Sequence, residues 1–123
     1  MTVNDTMHIG ELAERTGLSL RTIRHYEEVG LLAPAMRTEG GFRLYAEADE
    51  ERLLLIRRMK PLGYTLEEMR ELLRVIDALA AEPRDAAMRA RLGDIRDEAV
   101  LRRDRLRRQL EAADEFVERL TER

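Results

Sequence analysis

The sequence predicts a mainly α-helical fold: a helix-turn-helix carrying a small β-hairpin, followed by one long C-terminal helix that forms an antiparallel coiled coil in a homodimer. Three observations predict it. Two short helical patterns flank Gly17 between Ile9 and Glu28. A Gly40-Gly41 pair separates two short extended arms. Beyond Pro83, apolar residues step by fours and threes along a stripe with charges on every other side.

The elements follow in order. Residues 1–6 are polar and read as frayed. Ile9, Leu12 and Ala13 share a helical face. Gly17 makes the turn, and Ser19, the only serine, is placed to cap the next helix. Leu12, Ala13, Leu18 and Ile23 are the expected small core. Gly30 reads as a left-handed cap, and Pro34 prevents the helix from resuming. Met36 to Thr38 and Phe42 to Tyr45 are expected to pair as a hairpin, with Phe42 and Leu44 on one face and Arg43 and Tyr45 on the other. A helix over Glu47 to Met59 buries Leu53, Leu54, Ile56 and Met59, and Pro61 and Gly63 stop it. Thr65 and Glu68 form a capping box that opens a helix with Leu66, Met69, Leu72, Leu73, Ile76 and Leu79 inside. Pro83 suits the first turn of the last helix, which runs from about Arg84 to Leu120 and spans roughly 55 Å.

That last helix carries a narrow seam. Met88, Leu92, Ile95 and Ala99 form its first half, and Leu106, Leu110, Ala113, Val117 and Leu120 its second. Arg102 and Arg103 interrupt it, with the register slipping as at a stutter. A seam this long needs another helix against it, most simply the same helix from a second copy. A solitary charge-laced helix is the alternative, at the cost of leaving many leucines wet.

Composition excludes several classes. The 123 residues suit one domain, or a small domain with an extension. With no Cys there is no disulfide, thiolate zinc site or Cys nucleophile. No apolar run approaches the ~20 residues of a membrane span, and no signal segment is present, so a cytoplasmic location is expected. His8 and His25 lack the companions of a metal site. Nothing supports an enzyme, and no cofactor is implied. The net charge of −3 is spread over both halves, yet between Arg15 and Tyr45 five Arg face three Glu. Arg21, Arg24, His25 and Tyr26 gather on one short helix suited to nucleic acid. Phosphate contacts depend on local cations, so this pattern argues for a defined docking face and against a nonspecific coat.

These residues resemble the MerR family of bacterial transcription regulators. The resemblance rests on Met7-x-Ile9-Gly10-Glu11-Leu12-Ala13, then Thr16-Gly17-Leu18-Ser19-x-Arg21-Thr22-Ile23-Arg24-x-Tyr26-Glu27, Gly30-Leu31-Leu32-x-Pro34, Arg37, Gly41-Phe42-Arg43-x-Tyr45 and Asp49. Leu62 to Glu68 is similar to the family's second-wing segment. The resemblance implies a winged helix-turn-helix DNA-binding domain over 7–80 and a coiled-coil dimerisation helix over 84–121; the separate effector domain of some family members is not expected in this sequence. It implies promoter DNA and a second copy as partners, and RNA polymerase as an indirect one, in the bacterial nucleoid.

The DNA contacts carried over are Ser19, Arg21, Thr22, Arg24, His25 and Tyr26 on the recognition helix, and Arg37, Gly41, Phe42, Arg43 and Tyr45 on the wing. Dimerisation falls to Leu92, Ile95, Ala99, Leu106, Leu110, Ala113, Val117 and Leu120. Other readings stay open: Arg21 and Arg24 also fit solvated helix charges, Tyr26 a core ring with an exposed hydroxyl, and Arg43 an ion pair. His25 and Phe42 stand where the family commonly has Tyr, which makes Phe42 the better fit for packing. Ala46 replaces the usual Ser or Thr cap. The alternatives in function are simple repression by occupancy, a coiled coil that docks a partner protein, and a small-molecule module.

Overall fold

The computed structural model describes residues 6–33 and 36–123. Residues 1–5, Pro34 and Ala35 lie outside them, and with them the expected stop at Pro34 and the expected fraying of 1–5, whereas Thr6, also expected to fray, is paired with Ala46 in a strand. Strand β1 (Thr6–His8) leads into α1 (Ile9–Thr16) and α2 (Leu20–Glu28). Strands β2 (Met36–Arg37) and β3 (Arg43–Ala46) follow, then α3 (Glu47–Met59), a 3-10 turn at Lys60–Leu62, α4 (Leu66–Ala81) and α5 (Ala86–Thr121). The chain divides into two compact units, 1–70 and 71–123.

The first unit is built on α1, α2 and α3. Gly17 adopts φ +72° and its N–H donates to the Ala13 carbonyl, which ends α1. Thr16, fully buried, donates from its hydroxyl to the Leu12 carbonyl at 2.8 Å and accepts from the Leu18 N–H. A buried polar group is thereby satisfied, and the turn is tied to the helix it leaves. Gly30, at φ +84°, closes α2 as expected. The Leu31 N–H reaches the Tyr26 carbonyl at 2.9 Å and the Gly30 N–H the Glu27 carbonyl at 3.3 Å, the two bonds of a Schellman motif. Met7, Leu12, Ile23, Tyr26, Leu31, Leu32, Tyr45, Leu53, Ile56, Met59 and Met69 are buried. Of the predicted core, Ala13, Leu18 and Leu54 are only half-buried.

The hairpin is part of a three-stranded sheet ordered β1-β3-β2, antiparallel throughout. Strand β1 is an element the periodicity did not reveal. It pairs Met7 with Tyr45, both buried, and His8 with Leu44. Ala46 offers no acceptor at the start of α3, so that end is held by the Asp49 carboxylate, which accepts the Ala46 N–H at 2.8 Å.

Helix α4 begins in the first unit and continues into the second. Its capping box forms as read: the Thr65 N–H donates to Glu68 at 2.9 Å, and the Glu68 N–H to the Thr65 hydroxyl at 3.2 Å. Met69, Leu72 and Leu73 are buried, but Leu66 is exposed and Val75 takes an inside place instead. In the second unit the expected start of α5 is corrected. Pro83 and Arg84 form a turn, and the helix opens at Ala86, because the Asp85 carboxylate caps the Met88 N–H at 3.1 Å. A side-chain cap that satisfies an orphan N–H outweighs the tolerance of proline in a first turn. Glu71 on α4 pairs with Arg91 on α5 at 2.6 Å. Leu92, Ile95 and Ala99 are half-buried already in the single chain, whereas everything from Leu106 onward is exposed.

Candidate nucleic-acid interface

Helix α2 starts where Ser19 accepts the Thr22 N–H at 3.1 Å, and the two hydroxyls bond at 2.9 Å. This cap sets which residues face outward. Ile23 and Tyr26 turn inward, while Arg21, Arg24, His25 and Glu28 are exposed. Positions 21, 24, 25 and 28 are the i, i+3, i+4, i+7 stripe of one helix face. Among the described residues neither Arg21 nor Arg24 has an ion-pair partner. The His25 ring lies 6.0 Å from that of Tyr26, tilted by 42°.

The acidic neighbour of this stripe is neutralised from the wing. Arg43 on β3 reaches Glu27 at 2.6 Å. Its guanidinium pKa is raised, first by a hydrogen-bonding interaction with Tyr45 and then by the charge of Glu27. In this structure Arg43 joins the wing to α2, the ion-pair reading left open for it from the sequence.

Tyr26 and Tyr45 are also placed inside, at 2% and 1% exposure, so their rings belong to the core. The Tyr45 hydroxyl is buried with no hydrogen-bond partner of normal geometry, although Arg43 lies near enough to act on it. Burial, the largest influence, pushes the Tyr45 pKa up.

At the wing tip, Thr38 and Phe42 close a loop of three residues. The Thr38 N–H donates to the Phe42 carbonyl at 2.9 Å, the Gly41 N–H to the Thr38 carbonyl at 2.9 Å, and the Phe42 N–H to the Thr38 hydroxyl at 3.2 Å. Gly41 sits at φ +84°, the left-handed position such loops require. Arg37 folds across the tip and grips the Gly41 carbonyl at 3.0 Å. Arg37 and Arg43 are directly opposed in register, an unfavourable pairing that is relieved because each finds its own acceptor. Phe42 does not pack inside: it is 65% exposed, with its ring edge-on to His8 at 6.1 Å. A shallow recess lies there, lined by His8, Ile9, Phe42 and Arg43. The sequence did not place His8 beside Phe42, because the strand that presents it is too short to show a period.

The profile of MerR HTH family regulatory proteins matches residues 7–75. The chain belongs to the MerR family. It is 47% identical over 77 residues to the mercuric resistance operon regulatory protein of Bacillus cereus, covering 63% of this chain and 58% of that one. It is 41% identical over 108 residues to the HTH-type transcriptional regulator HmrR of Rhizobium leguminosarum bv. viciae, covering 85% and 81%. Among solved structures it resembles HiNmlR, a MerR family regulator lacking the sensor domain and bound to promoter DNA. That likeness has a TM-score of 0.65 at 25% identity, and covers 86% of this chain and 79% of that one. The chain spans about half the length of several other curated relatives that it matches. As in these regulators, the fold is a winged helix-turn-helix followed by a long C-terminal helix. Among the described residues, no helix is long and apolar enough to cross a membrane.

Proposed function

We propose that this MerR-family chain is a homodimeric, sequence-specific regulator that binds a pseudo-palindromic promoter site in the bacterial nucleoid. The observation that carries the reading is the exposed stripe Arg21, Arg24 and His25, free of carboxylate partners among the described residues, on a helix whose Glu27 is occupied by Arg43. Arginine on such a helix grips guanine edges in the major groove, and Thr22 and Ser19 at the helix start suit phosphate. Arg37, Gly41 and Phe42 at the exposed wing tip serve the flanking backbone, where Gly41 leaves open space for a strand to approach. Tyr26, Tyr45 and Arg43 support this surface from beneath.

Residues 7–80 act as the DNA-binding domain, and α5, the helical part of 84–121, as the dimerisation helix. Two recognition helices and two wings offset the cost of bending the central base pairs, several kcal/mol for a site of this kind. The distortion governs access by RNA polymerase, which is an indirect partner. No enzyme activity and no cofactor belong to this reading. With no Cys in the sequence, a thiolate site for soft metal ions is not part of it either.

The test is an electrophoretic shift of the protein on DNA from upstream of its own coding region, at physiological salt and against excess unrelated duplex. Selective retention is expected, and equal retention of both duplexes refutes the proposal. In vitro transcription from the bound promoter then separates activating distortion from repression by occupancy.

A further inference from the structure

Both helices of the helix-turn-helix end on carbonyls held by arginines from later in the chain. Arg57 donates to the Thr16 carbonyl at 3.0 Å, at the end of α1. Arg52 donates to the Leu31 carbonyl at 3.1 Å, just past α2. The third case is the strongest. Arg70 sends two donors to one oxygen, the Val29 carbonyl, from Nε at 3.1 Å and from a terminal nitrogen at 2.7 Å.

Val29 is the capping residue of α2. The Schellman bonds already serve the carbonyls of Tyr26 and Glu27, so the Val29 carbonyl needs an acceptor's partner from elsewhere. A guanidinium there also neutralises the negative end of the helix dipole, and its planar fork restrains direction as well as distance. The anchor behind the fork is itself firm. Arg70 stands one turn into α4, beside buried Met69 and directly after the Thr65–Glu68 capping box. Its remaining contact, to Glu67 at 3.4 Å, is exposed and weak.

We infer that Arg70 is a positioning residue for operator reading: it fixes the direction of the recognition helix α2 against the first turn of α4, without touching DNA. This rests on the DNA-binding reading above. A helix whose C-terminal end is loose still meets phosphates, because these contacts tolerate small tilts, but it loses the aligned hydrogen bonds to base edges. Arg70 therefore contributes to specificity more than to affinity for DNA in general.

The experiment compares the full chain with Arg70→Ala and Arg70→Lys in two measurements. In the first, binding to the operator and to unrelated duplex is titrated across salt concentrations. Arg70→Ala is expected to weaken operator binding about three- to tenfold. Unrelated duplex should bind as before, the salt dependence should not change, and Arg70→Lys, a charge without the fork, should recover part of the loss. Unchanged operator affinity overturns the inference. So does a salt slope shallower by about one, because that is the mark of a direct phosphate contact. The second measurement, amide hydrogen exchange over Glu27–Leu32 in the free protein, needs no operator. Faster exchange there in Arg70→Ala, with α1 unaltered, is expected, and unaltered exchange overturns the inference. If the parent protein itself fails to select an operator, the functional reading falls, while exchange still reports on the clamp.

Discussion

Truncating the second half of the α5 seam tests the proposed dimer directly. Leu110 and Val117 are 62% and 59% exposed in the single chain, one heptad apart on the stripe. Full burial of a side chain of this size contributes about 1.5–3 kcal/mol, so covering the exposed three-fifths contributes roughly 1–2 kcal/mol each. A two-fold interface repeats both positions, giving four side chains. Alanine keeps its Cβ, so the double variant Leu110→Ala/Val117→Ala loses roughly 3–5 kcal/mol of association free energy. That is a rise in the dimer dissociation constant of roughly a hundred- to several-thousandfold. Sedimentation equilibrium over a wide concentration range reads this as a shifted monomer–dimer midpoint. Circular dichroism should show helicity falling together with the dimer, because an isolated helix has little tertiary packing to sustain it. Glu111→Ala, exposed and off the stripe, serves as the control and should dimerise as the parent does. If the double variant and the control share the parent midpoint, the seam is not the interface and the copies associate elsewhere.

Three other predictions follow from the recognition domain. Arg24→Ala should lower operator affinity by about 1–3 kcal/mol and relax the choice at one or two base pairs, read by competition shifts with single-base operator variants. Ser19→Ala removes the cap on the Thr22 N–H and should cost about 1 kcal/mol of stability, measured by urea denaturation, with Ser19→Thr largely retaining it. Burial raises the Tyr45 pKa, so the folded state holds this proton more tightly than the unfolded one, whose value lies at about 10. The associated stability is complete below that pH and is lost as pH rises through the folded value. Tyrosinate absorbance should therefore include a late-titrating component that Tyr45→Phe removes, and that variant should be at least as stable as the parent near neutral pH, since it deletes a buried hydroxyl with no regular partner.

What could be read from sequence was local. The Thr65–Glu68 box, the Ser19 cap, the turn at Gly17 and the left-handed cap at Gly30 involve residues close in sequence, and each formed as the residue types require. The helix α5 was legible because its 36 residues allow a helical period to declare itself. Strand β1 has three residues and no room for alternation, so it became visible only through its pairing with β3. Val75 and Leu66 exchanged the inside and outside expected of them because one helix face admits more than one choice of stripe. The arginine clamps carried no signal. Their acceptors are backbone carbonyls of Thr16, Val29 and Leu31, and any residue type at those positions presents the same oxygen.

The ion pair between Glu27 and Arg43, 16 residues apart, reconciles the proposed DNA binding with an acidic chain. Counting charges between Arg15 and Tyr45 treats every residue as equally available. The fold does not: Arg43 is withdrawn from the cations but takes Glu27 out of the acids, and Arg15 is held by Glu11 and Glu50. What remains outward on α2 is Arg21, Arg24 and His25 against Glu28 alone. Screening in cellular salt limits the reach of exposed charges to about 8 Å. The net charge of −3 is spread over a chain whose longest helix alone extends for roughly 54 Å. A phosphate at the recognition helix therefore responds to this stripe and hardly to the total. The pairing also bears on the proposed recognition: removing Glu27 is expected to release Arg43 and to strengthen attraction to any duplex. Keeping the pair holds the cationic stripe narrow, which favours a protein that discriminates over one that merely adheres.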